Sequence, residues 1–283
     1  MDTEVLPQDL STLEDERGDD REEASRDGAS SLTKMLSILD LFSAEAPAWS
    51  TAAIIEALET SRSTGYRYIK ALHASGLLST VGNGQYVLGP RVIELDLQIR
   101  NTDPLLQASR GVLEELVETI GHSALICTAF RDSVLCIREH RAPLSPENRF
   151  CRGQRRPLFQ GAISKVILAY FPHHRLKSLY SRSQPEIERA GLGATWDEFR
   201  SALGRIKKDG YMITKGEFNP GVYGVAAPLF NESTVVLGSV GVAWDEQERR
   251  DVDVKRAVLS VKRAAREIST RLATAGQKVM GPG

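Results

Sequence analysis

Residues 50–76 constrain the fold most, because they carry two short helical patterns separated by a tight break. Ser50 is the kind of residue that caps a helix N-terminus, and apolar residues then recur at helical spacing. Polar residues 59–61 interrupt the pattern, a second helical run follows, and Gly76 ends it as a C-cap. A break of about three residues is the spacing of a helix-turn-helix, so the stretch predicts that motif.

The second helix of this motif carries polar side chains on its first turn and along one face. They combine short hydroxyls with long cations, which can reach base edges and phosphates in a major groove. The residues predicted to contact DNA are Ser61, Arg62, Ser63, Thr64, Tyr66, Arg67 and Lys70. Two short amphipathic helices joined by a turn also occur in all-α domains that do not bind DNA, so the spacing alone leaves both interpretations open.

The segment that follows favours DNA binding. Residues 77–89 contain two β-forming runs around Gly82-Asn83-Gly84, which is a strong hairpin signal. A helix, a helix-turn-helix and a hairpin in this order are typical of a winged helix-turn-helix. The stretches SLTKMLSILDLF, SRSTGYRYIKALHASGLL and GQYVLGPRVIEL resemble the DNA-binding domain of the IclR family of bacterial transcriptional regulators. The resemblance implies a winged helix-turn-helix DNA-binding domain over residues 29–89.

Gly65 departs from the family pattern, which usually has a β-branched or small aliphatic residue at this position. A glycine inside a helix costs roughly 0.5–1 kcal/mol relative to alanine. Two hypotheses follow. Gly65 allows the backbone to approach DNA closely, or it simply weakens the second helix.

Residues 90–103 are predicted to form a helix with Pro90 in its first turn. Apolar residues lie almost all round this helix, so it is expected to pack on a partner chain as well as on its own domain. In the family this linker helix helps to dimerise the DNA-binding domains, which implies a homodimer or a dimer of dimers. Packing wholly within one chain is the alternative. Asp103-Pro104 marks the boundary to a second domain.

Residues 104–274 alternate helical and strand patterns. Helices are predicted over 104–120, 174–208 with a turn near Gly191 and Gly193, and 251–273; strands are predicted over 123–130, over 133–140 and within 209–244. The stretch RFCRGQRRPLFQGAISKVILAYFP and the run from Gly210 through Glu217 to Pro228 resemble the effector domain of the same family. The resemblance implies a GAF-like domain that binds small organic molecules, with a mixed, mainly antiparallel sheet flanked by helices. The predicted fold class is therefore α+β with two domains.

The effector pocket is expected between this sheet and residues 153–165. Three positions depart from the family pattern, because Ser164 replaces a glycine, Thr214 replaces an acidic residue or serine, and Gly224 replaces cysteine, serine or alanine. The residues at family pocket positions are Leu158, Gly161, Ala162, Ile163, Thr214, Gly224, Gly241 and Ala243. Most of them are small and apolar, whereas a buried carboxylate needs polar partners. The hypothesis is an effector larger and less polar than a short keto acid, such as an aromatic compound.

Two features of the second domain leave alternatives open. The predicted helix start near Gly161 either binds an anion through free backbone amides or simply begins a helix that covers the sheet. Cys127 and Cys136 lie in neighbouring strands, where they form either a redox pair or two packed thiols.

Composition narrows the class of protein. The 283 residues suffice for two domains, and 41% hydrophobic and 26% charged residues are ordinary for a soluble protein. No apolar run approaches the roughly 20 residues that cross a bilayer, and the acidic N-terminus resembles neither a signal peptide nor a transit peptide. A cytoplasmic protein without membrane association is expected. Three cysteines without a CxxC pair argue against a disulfide framework and a structural zinc site.

Charge is unevenly distributed. Residues 1–28 hold eleven acidic residues and three arginines, a net charge of −8, whereas the whole chain has −1, which leaves +7 for the rest. This segment is predicted to be a disordered, solvated tail, with screening of the DNA-binding surface as the alternative. A second, flexible tail is expected over residues 275–283. Residues 31–101 hold six cations and six acidic residues, so the case for DNA binding depends on the motif rather than on domain charge.

An enzyme is not expected. The five histidines show no HExxH spacing, and there is no GxSxG elbow, P-loop or GxGxxG after a strand. Glu217 lacks a partner base or nucleophile, so its expected role is to hold the loop that follows it by hydrogen bonds. We therefore predict no catalytic residue, no metal and no cofactor. The predicted function is a transcriptional regulator, by preference a repressor, that binds a double-stranded DNA operator under the control of a small organic effector. The alternative is a small-molecule sensor or interaction module whose helix-turn-helix no longer reads DNA.

Overall fold

The computed structural model describes residues 30–143, 150–217, 220–245 and 253–279. The chain divides into two compact units, Met1–Ile99 and Arg100–Gly283. The predicted acidic tail over 1–28 lies outside the described residues, as do residues 280–283 of the predicted C-terminal tail. Within the described residues, no helix is long and apolar enough to cross a membrane.

From residue 30 onward, where its description begins, the first unit contains three helices, a three-stranded sheet and most of a further helix. Its elements are α1 (residues 30–37), a 3-10 turn at Ile38–Leu41, β1 (Trp49–Ser50), α2 (Thr51–Ala57), α3 (Arg62–Ala74), β2 (Leu78–Val81), β3 (Gln85–Leu88) and α4 (Arg91–Thr102). The predicted caps are present, because the Ser50 hydroxyl accepts a hydrogen bond from the Ala53 amide and Gly76 has a φ of +75°. The first unit is therefore a winged helix-turn-helix.

The wing is an antiparallel hairpin of β2 and β3 that pairs Leu78 with Leu88 and Val81 with Gln85. Asn83 turns the chain at a φ of +64°, which asparagine tolerates better than most residues. The short strand β1 was not predicted. It pairs with β3 and gives the sheet order β1-β3-β2. Its two residues are too few to leave a periodic signal in the sequence.

Gly65 has a packing role that neither sequence hypothesis anticipated. It lies on the buried face of α3, so it is not on the exposed surface that would meet DNA. A Cβ built on Gly65 would lie 2.4 Å from Ile55 Cγ1, closer than nonbonded carbon atoms approach. The missing side chain therefore lets Ile55 of α2 pack directly against the backbone of α3.

The second unit is a six-stranded antiparallel sheet with helices on both faces, which confirms the α+β prediction. The sheet order is β6-β5-β4-β9-β8-β7. Its elements are α5 (Pro104–Ala108), α6 (Val112–Ile120), β4 (Ala124–Phe130), β5 (Ser133–His140), β6 (Arg155–Pro157), α7 (Ala162–Ala169), α8 (His173–Arg189), α9 (Trp196–Asp209), β7 (Met212–Lys215), β8 (Val222–Phe230), β9 (Val236–Asp245) and α10 (Val254–Val279).

Strand β4 shows how the two cores arise. Leu125 and Cys127 point to the face covered by α7, α8 and α9, whereas Ala124 and Ile126 point to the face covered by α5, α6 and α10. Successive side chains of a strand alternate between faces, so a strand with apolar residues at all four positions is buried on both sides.

Two helix predictions need correction. The single helix predicted over 104–120 is two helices, because Gly111 adopts a φ of +78° that ends one and starts the other. The last helix was expected over 251–273, but α10 begins at Val254 and continues to Val279, five residues into the predicted C-terminal tail. The helices predicted within 174–208 are present as α8 and α9, and the capping box of Thr195 and Glu198 starts α9.

Candidate nucleic-acid interface and effector cavity

The exposed face of α3 carries the residues predicted to contact DNA. Ser61 is the N-cap of α3, and the other six residues lie within its first nine positions. All seven are exposed except Thr64, which is half-buried. The opposite face packs into the core of the unit through Tyr68, Ile69 and Leu72. The helix therefore presents one continuous polar face while its apolar face anchors it.

Hydroxyl groups cluster at the start of α3. The Ser61 hydroxyl accepts a hydrogen bond from the Thr64 amide at 3.3 Å and donates to Thr64 Oγ1 at 3.0 Å. Ser63 Oγ lies 3.2 Å from Ser61 Oγ. These bonds orient short polar groups at the helix N-terminus, where hydroxyls and amides commonly contact a phosphate or a base edge.

A shallow groove runs between α3 and the wing. It is lined by Tyr66, Arg67, Lys70 and two residues that we did not predict, His73 and Tyr86. The rings of His73 and Tyr86 meet edge to face with centroids 6.2 Å apart. Helical spacing could have identified His73, which follows Lys70 by three residues on the same face. Tyr86 comes from the wing and has no such signal.

A cavity in the second unit lies between the start of α7 and the ends of the central strands. It has about 1050 Å³ of empty space, counted out to its open mouth. Six of the eight predicted effector residues line it: Gly161, Ala162, Ile163, Thr214, Gly224 and Ala243. Leu158 and Gly241 do not. Leu158 is buried in the core, and a Cβ on Gly241 would lie 2.9 Å from Ile163 Cγ1. Their part in effector binding remains a prediction.

Two of the three residues that depart from the family pattern are neighbours in the structure. Thr214 of β7 and Gly224 of β8 are directly paired across the sheet. The Thr214 hydroxyl accepts a hydrogen bond from the Ala162 amide at 3.1 Å. A Cβ on Gly224 would lie 3.2 Å from Thr214 Oγ1 and 3.7 Å from the Ala162 Cβ. Gly224 therefore leaves the space that the threonine side chain uses.

Glu217 occupies the position at which the sequence left an anion site open. Its carboxylate accepts hydrogen bonds from the Gly161 amide at 2.9 Å and from Lys165 Nζ at 2.7 Å. The Lys165 side chain is 3% exposed, and Nζ also donates to the Ala190 carbonyl at 2.8 Å. The amides of Gly161 and Ala162 are thus held by Glu217 and Thr214. Glu217 therefore holds the start of α7, whereas the predicted hold on the loop after Glu217 concerns residues 218 and 219, which lie outside the described residues.

The cavity is more polar than its small residues indicated. Arg141 and Arg156 line it together with Glu139, and Arg141 Nε lies 3.2 Å from Glu139 Oε1. The Arg156 guanidinium lies 4.2 Å from the Phe150 ring centroid, and burial lowers its pKa from the ordinary value. Neither arginine carried a sequence signal, because both reach the cavity through the pairing of distant strands.

One wall of the cavity is a stack of rings. Tyr223 and Trp244 are nearly parallel, with centroids 5.5 Å apart and an interplanar angle of 6°. The His122 ring stacks on Trp244 with centroids 5.9 Å apart, and Lys215 Nζ lies 4.8 Å from the Tyr223 ring centroid. All three rings line the cavity, which gives it an aromatic wall as well as cations.

The cysteines favour the packing interpretation. Cys127 and Cys136 are directly opposite in β4 and β5, and both are fully buried. Burial raises the pKa of the Cys127 thiol well above its ordinary value, with a further rise from its hydrogen bond to Cys136. Protonated, buried thiols are poor nucleophiles.

Among the described residues, no three side chains of His, Cys, Asp or Glu cluster as metal ligands would.

A winged helix-turn-helix joined to a domain with a ligand cavity defines a DNA-binding transcriptional regulator that responds to a small molecule. Family models match both parts: the IclR helix-turn-helix domain over residues 31–82, and the bacterial transcriptional regulator IclR C-terminal domain over residues 98–270. The second match alone covers more than half of the 283 residues. The chain belongs to the IclR family of bacterial transcriptional regulators.

Individual relatives agree with this assignment. The chain is 25% identical over 222 residues to the probable HTH-type transcriptional regulator ArcR of Halobacterium salinarum, covering 77% of this chain and 84% of ArcR. An IclR transcriptional regulator from Alicyclobacillus acidocaldarius has a similar structure, with a TM-score of 0.70, 24% identity and coverage of 86% and 99%. An IclR homologue from Microbacterium hydrocarbonoxydans, solved with 4-hydroxybenzoate, has a TM-score of 0.69, 21% identity and coverage of 86% and 98%. The similarity to these two structures is evidence for the fold alone.

Proposed function

We propose that this protein is a repressor that binds a palindrome-like operator as a dimer and releases it when an aromatic acid enters the cavity. The observation that carries DNA recognition is the exposed polar face of α3, with its hydroxyl cluster and the cations Arg62, Arg67 and Lys70. This combination suits phosphate contacts from the cations and base-edge contacts from the shorter side chains.

The exposed apolar side chains of α4 support the proposed dimer. Ile93 is 74% exposed, Leu97 58% and Ile99 50%, in a helix with no buried residue. Large apolar side chains clustered on one short helix are a common mark of an interface. Two-fold symmetry would then present two copies of α3 to two half-sites of the operator.

The residues around the cavity support an aromatic acid as the effector. Tyr223 and Trp244 give the cavity an aromatic wall against which a ring can pack, and Arg141 and Arg156 can meet a carboxylate through charge-assisted hydrogen bonds. The bound 4-hydroxybenzoate of the Microbacterium homologue is a molecule of this kind. Calorimetric titration with 4-hydroxybenzoate and benzoate, beside pyruvate and glyoxylate, tests the class. Binding of the keto acids without binding of the aromatic acids would contradict it.

The near-neutral charge of the DNA-binding domain supports a second candidate, a sensor whose helix-turn-helix no longer reads DNA. Residues 31–101 hold equal numbers of cations and acidic residues. Titration of the purified protein against the DNA upstream of its own gene, at two salt concentrations and with competitor DNA, separates the candidates. Specific binding that weakens steeply with salt supports the repressor. If the protein binds neither this DNA nor any fragment in a selection from genomic DNA, the result supports the sensor. We infer no catalytic role in either case.

A further inference from the structure

The groove between α3 and the hairpin of β2 and β3, which we call the wing groove, extends the polar face of α3 onto a second element. It has about 760 Å³ of empty space, counted to its open mouth. Its lining residues are Tyr66, Arg67, Ile69, Lys70 and His73 of α3 and Tyr86 of β3. No carboxylate is among them, and within the described part of the chain no acidic residue forms an ion pair with Arg67 or Lys70. A concave surface lined by unpaired cations attracts a phosphate.

His73 lies at the far end of α3 from the hydroxyl cluster. It is exposed and follows Lys70 by three residues, so the two side chains are neighbours on the helix surface. At 1.5 Å per residue, His73 lies roughly 15 Å along the helix axis from Ser63. Recognition helices contact base edges through their N-terminal residues, and the major groove is about 8.5 Å deep. The end of α3 that carries His73 is therefore expected at the level of the phosphates rather than of the base edges.

Tyr86 is held in place by the wing. It lies on the middle strand of the three-stranded sheet, where it pairs with Trp49 of β1 and Thr80 of β2. Its half-buried ring packs against the core of the first unit and meets the His73 ring edge to face, at an interplanar angle of 83°. The Tyr86 hydroxyl makes no hydrogen bond within the part of the chain that the structure describes. The wing therefore presents a fixed O–H donor beside His73.

We propose that the wing groove holds one backbone phosphate of the operator, bound by Lys70, by the Tyr86 hydroxyl and by the protonated ring of His73. This inference rests on the proposed DNA binding and adds a pH dependence to it. Histidine is the side chain that ordinarily changes charge between pH 5 and 8, whereas lysine, arginine and tyrosine ordinarily titrate above that range. A phosphate favours the charged imidazole, so the complex takes up a proton and operator affinity falls as the pH rises.

The elements around α3 leave His73 as the titrating group of the wing groove. β2 has no charged residue, and Arg91 at the start of α4 pairs with Glu94 at 2.6 Å. α1 and α2 pack on the opposite, buried face of α3. The charges that line the groove with His73 are those of Arg67 and Lys70, which repel a protonated ring. A bound phosphate offsets this repulsion, so protonation and DNA binding favour each other.

Fluorescence anisotropy of the full chain with labelled operator DNA, over a series of salt concentrations at pH 6 and pH 8, tests the site. Each phosphate that a cation neutralises contributes about 0.9 to the slope of log affinity against log salt. His73→Gln should therefore lower the slope by about one at pH 6 and leave it unchanged at pH 8. His174→Gln is the matched control, because His174 is an exposed histidine on α8, and it should change the slope at neither pH.

Tyr86→Phe separates the hydroxyl from the charge. It should weaken operator binding by about fivefold at both pH values without changing the salt slope, because it removes one neutral hydrogen-bond donor. The inference is overturned if His73→Gln lowers the slope equally at pH 6 and pH 8 or at neither, or if Tyr86→Phe leaves the affinity unchanged. Absence of DNA binding by the original protein at both pH values contradicts the repressor itself and this inference with it, so the two failures are distinguishable. Thermal unfolding checks the fold of each variant, and His73→Asn replaces His73→Gln if the latter does not fold.

Discussion

The exposed face of α3 and the effector cavity are built in opposite ways. All seven predicted DNA-facing residues come from ten consecutive positions, and helical geometry alone brings them to one face. The cavity is lined by residues from His122 to Trp244, which only strand pairing and the packing of α7 bring together. Single substitutions on the exposed face of α3 should therefore leave the fold intact. Substitutions around the cavity should disturb buried contacts between distant segments.

The buried ion pair beside the cavity should show the largest effect. Glu217→Gln leaves Lys165 buried without its carboxylate, so we expect a loss of about 3 kcal/mol or more in the free energy of unfolding. Urea denaturation measures it. Lys165→Met combined with Glu217→Gln should recover much of the loss. Asp132→Asn is the control, because it breaks a pair with Arg182 in which both side chains are more than half exposed, and it should cost less than about 1 kcal/mol. Equal losses of unfolding free energy in Glu217→Gln and Asp132→Asn would contradict the special importance of the buried pair.

The face of α3 should respond without loss of stability. Arg67→Ala is expected to weaken operator binding by about 1–3 kcal/mol if the guanidinium meets a base, and to lower the salt slope by about one if it meets a phosphate. Fluorescence anisotropy with labelled operator DNA measures both quantities. The melting temperature should stay unchanged, because Arg67 is exposed. Arg205→Ala on α9 is the control, and an Arg67→Ala variant with unchanged affinity would remove this residue from the interface.

Gly65 differs from the exposed residues of α3, because its contact with α2 leaves no space for a side chain. In an open helical site, glycine to alanine stabilises by about 1 kcal/mol, as we expect for Gly204→Ala in α9, where nothing lies within 4 Å. Gly65→Ala should instead destabilise by about 1–2 kcal/mol, because the new methyl group meets Ile55. Ile55→Ala should relieve this clash in a double-mutant cycle measured by denaturation. A stabilising Gly65→Ala would refute the packing explanation.

The smallest expected effect concerns Glu114, which pairs with Arg138 at 2.7 Å. Burial raises the pKa of Glu114, but backbone hydrogen bonds and Arg138 outweigh it, so the pKa lies below its ordinary value of 4.5. A lowered folded-state pKa stabilises the protein above pH 4.5 and loses this contribution as the pH falls through the folded-state value. Since Glu114 is partly exposed, the contribution should be below about 1 kcal/mol.

Glu114→Gln should therefore destabilise the protein at neutral pH and match the original protein at acidic pH. Melting temperatures of both proteins near pH 7 and below the lowered pKa measure the difference. Glu118→Gln, an exposed position on the same helix, controls for the loss of one negative charge. A stability difference that is the same at both pH values would contradict the assignment.

Prediction from the sequence succeeded where a signal is contained in one short segment. The caps at Ser50 and Gly76 and the hairpin around Asn83 each depend on residues that are close in the chain. The family resemblance led to the α+β fold and to six residues of the cavity lining. It did not lead to Arg141, Arg156 or the ring stack of His122, Tyr223 and Trp244, because only the pairing of strands brings these positions to one cavity.

The amino-acid sequence determined the elements of this protein, because capping, turn chemistry and hydrophobic periodicity act over a few residues. Tertiary packing decided the structural roles of individual residues in those elements. Gly65 makes room for Ile55, Gly224 makes room for Thr214, and Glu217 accepts a hydrogen bond from the Gly161 amide, which would otherwise be open to an anion. The physical reason is that each of these roles is a contact between segments, and its distance is set only when the sheet and helices have assembled.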